Sequence, residues 1–350
     1  MVTISDVAKK AGVSRSTVSL VINHSPKVKD ETKVKVQDAI EQLDFVPNTS
    51  ARSLGARRTN NIGIVVFIDK DRKPDEFSYD FGQASGLCSY NISNGIMLRL
   101  MQSDYGIVSE RFCSIEHPDE LPLVIRDRRV DGAVFVGNPY SPALIKNMKE
   151  TGIPFVLTGI DSYDEVIDSV YANPGAGAVM QLDYLLRMGH KKICLVNGPQ
   201  FFHSSYNRVK SIRDYCVDKN IDFDFDWCIS CQSNRGTSGY DSFKEFWEAG
   251  SRPDAVITAN GRIALGVMRF LYEQKIRIPE DISIIAYEDS ALCGYATPGL
   301  TAVNIKKEVM GERAASCLIE RLKNPDAKVK KIEIEPYMVE RESVMDMKKK

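Results

Sequence analysis

Four side chains that can form hydrogen bonds follow a glycine near the start of the chain. They are Arg15, Ser16, Thr17 and Ser19, and the glycine is Gly12. In the first turn of a helix that enters the major groove of DNA, such side chains can reach base edges and phosphates. They also have a simpler interpretation, in which Ser and Thr cap the helix and Arg15 is solvated. The predicted secondary structure around these residues distinguishes between DNA contact and simple helix capping.

Residues 1–46 have the pattern of three short helices. Thr3 and Asp6 resemble a capping box, because the Thr hydroxyl can accept a backbone N–H and the Asp lies near the positive helix end. Gly12 ends this helix, and Ser14 can cap a second helix. A third helix starts near Asp30, and its apolar stripe consists of Val36, Ala39, Ile40 and Leu43. The pattern is helix, tight turn, helix, followed by a third helix that can cover both.

Residues 47–60 indicate a hinge rather than a domain. The segment 48–55 begins with an Asn that can cap a helix and ends with a Gly that can stop it. A helix shorter than about 12 residues is marginal in water. We therefore expect this segment to be helical only when it docks on a partner.

Charge is distributed unevenly along the chain. The 350 residues have a net charge of −1, but residues 1–60 hold ten Lys and Arg against six Asp and Glu, which leaves −5 for the remainder. This asymmetry fits a basic nucleic-acid-binding module fused to an acidic body. The length also allows more than one buried core.

From residue 61 onward, short apolar runs alternate with helical patterns. The predicted strands are 62–68, 96–100, 132–136, 154–157, 193–196, 255–258 and 282–286. The predicted helices between them include 82–93, 177–188, 205–218 and 263–274. This alternation is typical of parallel sheets covered on both faces, and about 280 residues are enough for two lobes.

Motifs for catalysis and metal binding are largely missing. Gly175 and Gly177 are followed by Met180 where a dinucleotide fingerprint needs a third Gly. The sequence has no phosphate-binding P-loop, no G-x-S-x-G and no H-E-x-x-H. Cys228 and Cys231 form a C-x-x-C without a second pair or a nearby His to complete a zinc site. We therefore expect neither an enzyme nor a bound cofactor or metal.

The start of the sequence and its hydropathy favour the cytoplasm. The N-terminus has no basic region followed by an apolar stretch, and no apolar run approaches the ~18 residues needed to span a bilayer. The eight scattered cysteines have the distribution of reduced thiols rather than a disulfide framework.

Several motifs, in the right order, resemble the lactose-repressor/galactose-repressor family of bacterial regulators. The N-terminal ones are ISDVAKKAGVSRSTVS at 4–19, VIN at 21–23, FVPN at 45–48 and ARSL at 51–54. The later ones are VDGA at 130–133, GIP at 152–154, LLRMGHKKI at 185–193, AN at 259–260, ALG at 264–266, IPEDIS at 278–283, Tyr287 and PGLT at 298–301. The resemblance implies a small all-α helix-turn-helix headpiece and an α/β two-lobed, periplasmic-binding-protein-like (type I) core with parallel sheets.

The resemblance also implies roles in DNA binding. The second helix would read the major groove through Arg15, Ser16, Thr17 and Ser19, whereas phosphates would be contacted by Ser5, Asn23, Lys29 and Thr32. The hinge would contribute Asn48, Ala51 and Leu54, with the leucines of two subunits wedged between base steps in the minor groove. One departure concerns base preference, because Leu20 stands where many members carry an Arg.

For the core, the resemblance implies two lobes joined by three crossovers, with an effector in the cleft. Residues 61–340 would form it, with the N-lobe at about 61–160 and 291–320, the C-lobe at about 161–290 and 321–340, and a tail at 341–350. The expected effector-binding residues are Phe77, Asp161, Arg208, Asn260 and Glu288. An Arg, an amide and a carboxylate suit a polyol, because each pairs with vicinal hydroxyls. Each also has a plainer interpretation: Arg208 as a solvated helix-start residue, Asn260 as a helix cap and Glu288 as a surface charge.

The ligand class is less defined than the fold. Gly261 replaces the Asp that usually follows Asn260, Glu288 is longer than the usual Asp, and Asn234 stands where a stacking aromatic is common. An apolar wall could instead come from Phe77, Tyr79, Phe201, Phe202 and Tyr206. A sugar is the first expectation, with a purine or another metabolite behind it.

Together these observations predict a cytoplasmic, nucleoid-associated repressor. It would be a homodimer that binds a pseudo-palindromic double-stranded operator under the control of a sugar-like effector, without membrane contact. One alternative is a regulator whose core has lost small-molecule binding and serves as a dimer scaffold or answers to a protein partner. A solute-binding protein or an enzyme would leave residues 1–58 without a role.

Overall fold

The structure is a computed structural model that describes residues 2–22, 25–45, 58–68, 86–113, 118–137, 141–159 and 166–349. The chain divides into two compact units, Met1–Thr59 and Asn60–Lys350. The described part of the first unit contains helices alone, and the second unit alternates strands with helices.

The helices of the first unit are α1 (Ile4–Ala11), α2 (Arg15–Ile22) and α3 (Asp30–Gln42). The predicted capping box is confirmed, since the Thr3 N–H donates to Asp6 Oδ2 at 2.8 Å and the Asp6 N–H donates to Thr3 Oγ1 at 3.4 Å. Gly12 ends α1 in the left-handed region, at a φ of 67°.

These three helices share one apolar core. Val7 of α1, Val18 of α2 and Val36 of α3 are fully buried, and Ile40 and Leu43 pack against them. Burial of one such side chain contributes about 1.5–3 kcal/mol, and helices this short are marginal alone. The shared core therefore stabilises the helix-turn-helix and its third helix, as the sequence predicts.

The second unit contains two sheets. Their strands, in chain order, are β1 (Asn61–Phe67), β2 (Gly106–Phe112), β3 (Gly132–Val136), β4 (Phe155–Thr158), β5 (Asp168–Tyr171), β6 (Ile193–Asn197), β7 (Cys228–Ser230), β8 (Ala255–Thr258), β9 (Ser283–Tyr287), β10 (Thr301–Asn304), β11 (Lys331–Glu333) and β12 (Tyr337–Val339). The helices are α4 (Gly86–Leu100), α5 (Leu123–Arg126), α6 (Pro142–Thr151), α7 (Pro174–Arg187), α8 (His203–Lys219), α9 (Gly236–Glu248), α10 (Gly261–Glu273), α11 (Ala291–Tyr295) and α12 (Lys307–Lys323).

Each sheet has six strands within the described residues. The first has the order β11-β5-β4-β3-β1-β2 and the second β12-β10-β9-β8-β6-β7. Neighbouring strands are parallel, except that β12 runs antiparallel to β10. The central strands β3 and β9 are buried along their whole length, as expected when helices cover both faces. The predicted two-lobed α/β architecture is confirmed.

Helices α4 and α12 cross in close contact beside the first sheet. A Cβ atom on Gly95 would lie 2.0 Å from the carbonyl oxygen of Glu308, and one on Gly311 would lie 2.0 Å from that of Ile92. Only glycine allows two backbones to approach so closely. The crossing therefore fixes the position of α4 relative to α12.

One predicted strand is wrong. Residues 96–100 form the last turns of α4, and the strand that follows is β2. Ile96 and Leu100 are buried at helical i, i+4 spacing, so a short apolar run here marks one face of a helix. β2 lies at the sheet edge and exposes most of its residues, which hides its signal in the sequence.

The lobes are divided differently from the predicted boundaries. β5 and β11 belong to the first sheet, although they lie in the ranges assigned to the C-lobe, and β10 belongs to the second sheet, although it lies in a range assigned to the N-lobe. The chain crosses between sheets after β5, after β10 and after β11. Such crossovers are short connections without hydrophobic periodicity, so the pattern does not locate them.

Candidate DNA-binding surface and ligand cavity

Helix α2 presents polar side chains to solvent. Arg15 and Ser16 are exposed, and Thr17 and Ser19 are half-buried. The Ser14 hydroxyl lies 2.7 Å from that of Ser16 and 2.9 Å from that of Thr17, and it accepts the Thr17 N–H at 3.1 Å. Ser14 is therefore the cap of this helix, and Arg15 and Ser16 are available to contact DNA.

The predicted phosphate-contacting residues lie at helix starts. Ser5 is in the first turn of α1, Lys29 is the N-cap position of α3, and Thr32 is in its first turn. Ser5 and Lys29 are exposed, whereas Thr32 is half-buried. Backbone N–H groups at helix N-termini attract anions such as phosphate. The predicted Asn23, Asn48, Ala51 and Leu54 lie outside the described residues.

A cavity of about 250 Å³ lies between the two sheets of the second unit. It is bounded by Cys88 and Ile92 of α4 and by residues that follow β5, β9 and β10, such as Asn173, Glu288 and Ile305. In parallel sheets, ligands bind outside the carboxyl ends of the strands. The volume suits a molecule of monosaccharide size.

Arg208 is a buried cation in the cavity wall. Its exposed fraction is 5%, and its guanidinium lies 5.2 Å from the centre of the Tyr287 ring. Nη1 donates to Asn197 Oδ1 at 3.5 Å and Nη2 donates to the Ala259 carbonyl at 3.3 Å, while Nε has no hydrogen-bond partner among the described residues. Burial lowers the pKa of this guanidinium. The plain interpretation of Arg208 as a solvated helix-start residue does not hold.

Glu288 brings an opposite charge to the same cavity. It follows β9 directly, lines the cavity and is half-buried. Its φ of 64° lies in the left-handed region, which is uncommon for a residue with a side chain and is often found at functional sites. No hydrogen bond to its carboxylate is made by the described residues, so the carboxylate can accept donors from a ligand.

Tyr287 lines the cavity next to Glu288, and its ring lies beside the Arg208 guanidinium. Its ring is buried, and burial raises the pKa of its hydroxyl. A Cβ atom on Gly177 would lie 2.1 Å from the ring, so α7 must carry glycine there for the ring to occupy this position. The predicted helix around Gly177 thus also shapes the cavity.

Asn260 has a different position from the one expected. It is the N-cap of α10, where its Oδ1 accepts the Ile263 N–H at 2.9 Å and its Nδ2 lies 3.4 Å from the Asn234 carbonyl. It is not among the described residues that line the cavity. The plainer interpretation of Asn260 as a helix cap is the one that the structure matches.

The remaining predicted residues are placed as follows. Phe77, Tyr79 and Asp161 lie outside the described residues. Phe202 lines the cavity, whereas Phe201 and Tyr206 are exposed beside it on the same stretch of chain.

Sequence reasoning missed several polar residues of the wall. They are Tyr171, Asn173, His203, Ser204 and Asn207. Asn173 caps α7, with its Oδ1 accepting the Gly175 N–H at 3.0 Å, which leaves its amide N–H groups available to a ligand. The detectable signal was positional, because Tyr171 ends β5, Asn173 lies at the turn that follows it, and the other three lie in the first two turns of α8.

The cysteines of the C-x-x-C motif are ordinary thiols, with Cys231 buried and Cys228 half-buried. Burial raises the pKa of both Cys228 and Cys231 to about 11, so both are protonated at neutral pH. Among the described residues, no group of three potential ligands could hold a metal ion, and no helix is long and apolar enough to cross a bilayer.

Comparison with protein families gives two matches. Residues 3–48 match the model of bacterial regulatory proteins of the lacI family, and residues 182–344 match the model of the periplasmic binding protein-like domain. These regions correspond to the helical unit and to much of the two-sheet unit described above.

Similar proteins span the whole chain. The probable HTH-type transcriptional repressor ExuR of Bacillus subtilis is 26% identical over 345 residues, which are 98% of each chain. The HTH-type transcriptional repressor PurR of Salmonella paratyphi A is 29% identical over 349 residues, which are 99% of this chain and 98% of the other.

Solved structures have the same architecture. The transcriptional regulator CelR in complex with cellobiose is 26% identical, with a TM-score of 0.70, and covers 98% of this chain and 100% of its own. The lac repressor dimer bound to operator and the anti-inducer ONPF is 22% identical, with a TM-score of 0.80, over 98% of this chain and 99% of its own. The latter likeness concerns the fold alone. The chain thus joins a DNA-binding domain of the lacI family to a periplasmic binding protein-like domain, and transcriptional repressors are similar to it along its full length.

Proposed function

We propose that this protein is a transcriptional repressor whose affinity for operator DNA is controlled by a small polar molecule in the cavity. The observation that carries this proposal is the pairing, in one chain, of an exposed polar helix in a lacI-family unit with a cavity that holds Arg208 and Glu288. Within the described residues, Arg208 Nε has no hydrogen-bond partner and the Glu288 carboxylate receives no hydrogen bond, so both are suited to bind a ligand.

For DNA binding, Arg15 and Ser16 are the side chains of α2 that reach base edges. A basic first unit adds attraction to phosphates that falls with salt, because counterions are released on binding. In the hinge, Leu54 would intercalate in the minor groove, so Leu54→Ala should reduce DNA bending. As a DNA-binding protein it would act in the cytoplasm, on the chromosome.

The active species in this proposal is a homodimer on a pseudo-palindromic operator. One headpiece offers few contacts, and two-fold proteins match two-fold sites. Helix α4 supports self-association, because it exposes the apolar side chains of Tyr90 and Leu98, and Met101 directly follows it.

The effector in this proposal is a sugar or a related hydroxylated metabolite. The cavity wall holds the donors Arg208, Asn173 and Asn207 and the acceptor Glu288, which together match a molecule with several hydroxyl groups. Such a ligand changes operator affinity only through its different affinity for the two states of the lobes. Among the similar structures, CelR carries cellobiose and a regulator from Enterococcus faecium carries ribose.

The proposal is tested in two steps with the full-length protein. A duplex selected from a random library should bind with an affinity that falls steeply with salt. A metabolite panel in a thermal-shift assay should then give hits that change this affinity. Absence of salt-dependent duplex binding would refute the repressor function. Tight duplex binding with no metabolite hit would favour a core that answers to a protein partner.

A further inference from the structure

The chain enters the two-sheet unit at Asn60, directly before β1. β1 lies between β2 and β3 in the first sheet, so Asn60 leaves the sheet edge with a neighbouring segment on each side. Its N–H donates to Asp131 Oδ2 at 2.9 Å, and its carbonyl oxygen accepts the Gly106 N–H at 2.7 Å. The first bond goes to the segment before β3 and the second to the start of β2. The peptide groups before and after Asn60 are therefore both held in place.

Asn60 also bends the chain at this entry. Its φ of 53° lies in the left-handed region, which Asn tolerates better than most residues with a side chain. The next residue is held as well, because Asn61 Nδ2 donates to the Arg129 carbonyl at 3.2 Å and the Asn61 carbonyl accepts the Asp131 N–H at 2.8 Å. A Cβ atom on Gly106 would lie 2.3 Å from Asn61 Oδ1, so only glycine fits there. The direction in which the chain enters β1 is thus fixed by contacts on both sides.

The carboxylate of Asp131 holds the side of Asn60 that faces the linker. This contact joins residues 71 apart in sequence, and a bond to a carboxylate is stronger than one between neutral groups. The other bonds named above use backbone atoms or the Asn61 amide, so they remain when the Asp131 side chain is removed. Removal of this side chain therefore releases the N–H of Asn60 and leaves the pairing of β1 with β2 and β3 intact.

We propose that Asp131 is a positioning residue for operator binding, because it fixes the direction in which the linker leaves the core. In a dimer on a two-fold operator, this direction determines which spacing of the two half-sites the headpieces can reach. One inserted base pair moves a half-site by about 3.4 Å and rotates it by about 35°. A linker with a fixed exit resists this displacement, whereas a linker with a released exit follows it. This inference rests on the proposed function and names a residue that determines its operator specificity.

The test measures operator affinity as a function of half-site spacing. Fluorescence anisotropy on the full-length protein would use the duplex selected from the random library and two versions of it, with one base pair inserted or removed at the centre. We expect the wild-type affinity to fall about tenfold or more when the spacing changes, and that of Asp131→Ala to fall less than about threefold. Lower stability alone would weaken binding to all three duplexes by the same factor and leave this ratio unchanged. Asp127→Ala makes the same change in the same loop, where the carboxylate bonds the side chains of Arg126 and Arg129, and it should keep the wild-type ratio.

Each outcome decides the role of Asp131. Equal spacing ratios in the wild type and Asp131→Ala, a wild type that binds all three duplexes equally, or the same loss of preference in Asp127→Ala would overturn it. If Asp131→Ala does not fold by circular dichroism, Asn60→Pro takes its place, because proline lacks the N–H and cannot adopt a φ of 53°. This variant should lose the wild-type preference, and retention of the preference would overturn the proposal. Duplex binding without this spacing effect would leave the proposed function standing, whereas absence of salt-dependent duplex binding would refute both.

Discussion

The two units keep their reactive side chains in opposite environments. In the helical unit, Arg15 and Ser16 are exposed and are neighbours in sequence. In the two-sheet unit, Arg208 and Glu288 come from distant segments and line the cavity between the sheets, with Arg208 buried. Water satisfies an exposed donor until DNA replaces it, but a buried donor without a partner is costly. The spacing of exposed polar residues in the sequence thus indicates the DNA-binding surface. The ligand cavity is indicated instead by buried polar groups that lack hydrogen-bond partners among the described residues.

This difference predicts that the two activities can be removed separately. The two sites belong to different compact units of the chain, and the effects of changes that share no partner usually add. Each substitution below should therefore affect one activity and leave the other intact, and the expected effects run from the largest to the smallest.

Arg208→Ala should have the largest effect. Hydrogen bonds to a charged group are worth about 1.5–3 kcal/mol each, so loss of two should weaken effector binding by about 100-fold or more. Operator binding without effector should stay unchanged, as measured by fluorescence anisotropy. The matched control is Lys210→Ala, which removes an exposed cation two residues along α8. Wild-type effector affinity in Arg208→Ala would show that the cavity is not the site.

Arg15→Ala should weaken operator binding and leave effector binding unchanged, the opposite of Arg208→Ala. A side chain that reads a base contributes about 1–3 kcal/mol, which corresponds to roughly ten- to hundredfold weaker operator binding. Effector binding, measured by calorimetry, should be that of the wild type. Lys219→Ala, an exposed cation at the end of α8 in the other unit, should leave both affinities unchanged. Equal losses of operator affinity in Arg15→Ala and Lys219→Ala would mean that Arg15 contributes only its positive charge and no contact with a base.

Gly177→Ala should disturb the cavity through packing. The added methyl would lie 2.1 Å from the Tyr287 ring, and such overpacking typically costs about 1–3 kcal/mol. We expect a lower free energy of unfolding in urea and weaker effector binding. Gly294→Ala makes the same change where the nearest atom is 3.9 Å away, and it should stay within about 0.5 kcal/mol of the wild type. Similar losses in both variants would contradict the role of this contact.

Leu20→Ala should have the smallest effect. Leu20 is 41% exposed on α2, where an apolar side chain can contact a thymine methyl group. One buried methyl or methylene is worth about 0.8 kcal/mol, so affinity should fall only about fourfold. Replacing operator thymines by uracil should weaken wild-type binding at one position and leave Leu20→Ala insensitive there. A variant that still responds to every thymine methyl would exclude this contact.

The sequence predicted the helical unit better than the cavity. Thr3, Asp6 and Gly12 act through contacts within a few residues, so their pattern alone predicts α1 and its end. The resemblance to a known family supplied Arg208 and Glu288, because nothing local distinguishes them.

Long-range geometry explains what the sequence did not predict. The wall residues Asn173 and Asn207 come together because the start of α7 packs against α8, where a Cβ atom on Gly175 would lie 3.1 Å from the Asn207 carbonyl oxygen, and no local pattern encodes this contact. β2 is mostly exposed and β7 has only three residues, so neither strand has a long apolar run. Both are strands because they pair with a neighbouring strand, which their own residues do not reveal. Asn260 was assigned to the ligand, yet its local role as a cap accounts for its position.

The central claim is that occupation of the cavity controls operator binding, and one measurement tests it most directly. The operator Kd of the wild type and of Arg208→Gln would be determined by anisotropy, with and without the tightest-binding hit of the metabolite panel, at a concentration that saturates the wild type. Coupling between sites is typically 1–3 kcal/mol, so we expect the ligand to change the wild-type Kd by roughly 5- to 150-fold and to leave the Kd of the variant unchanged. A ligand that saturates the wild-type protein without changing its operator Kd, or that shifts both proteins equally, would contradict the account.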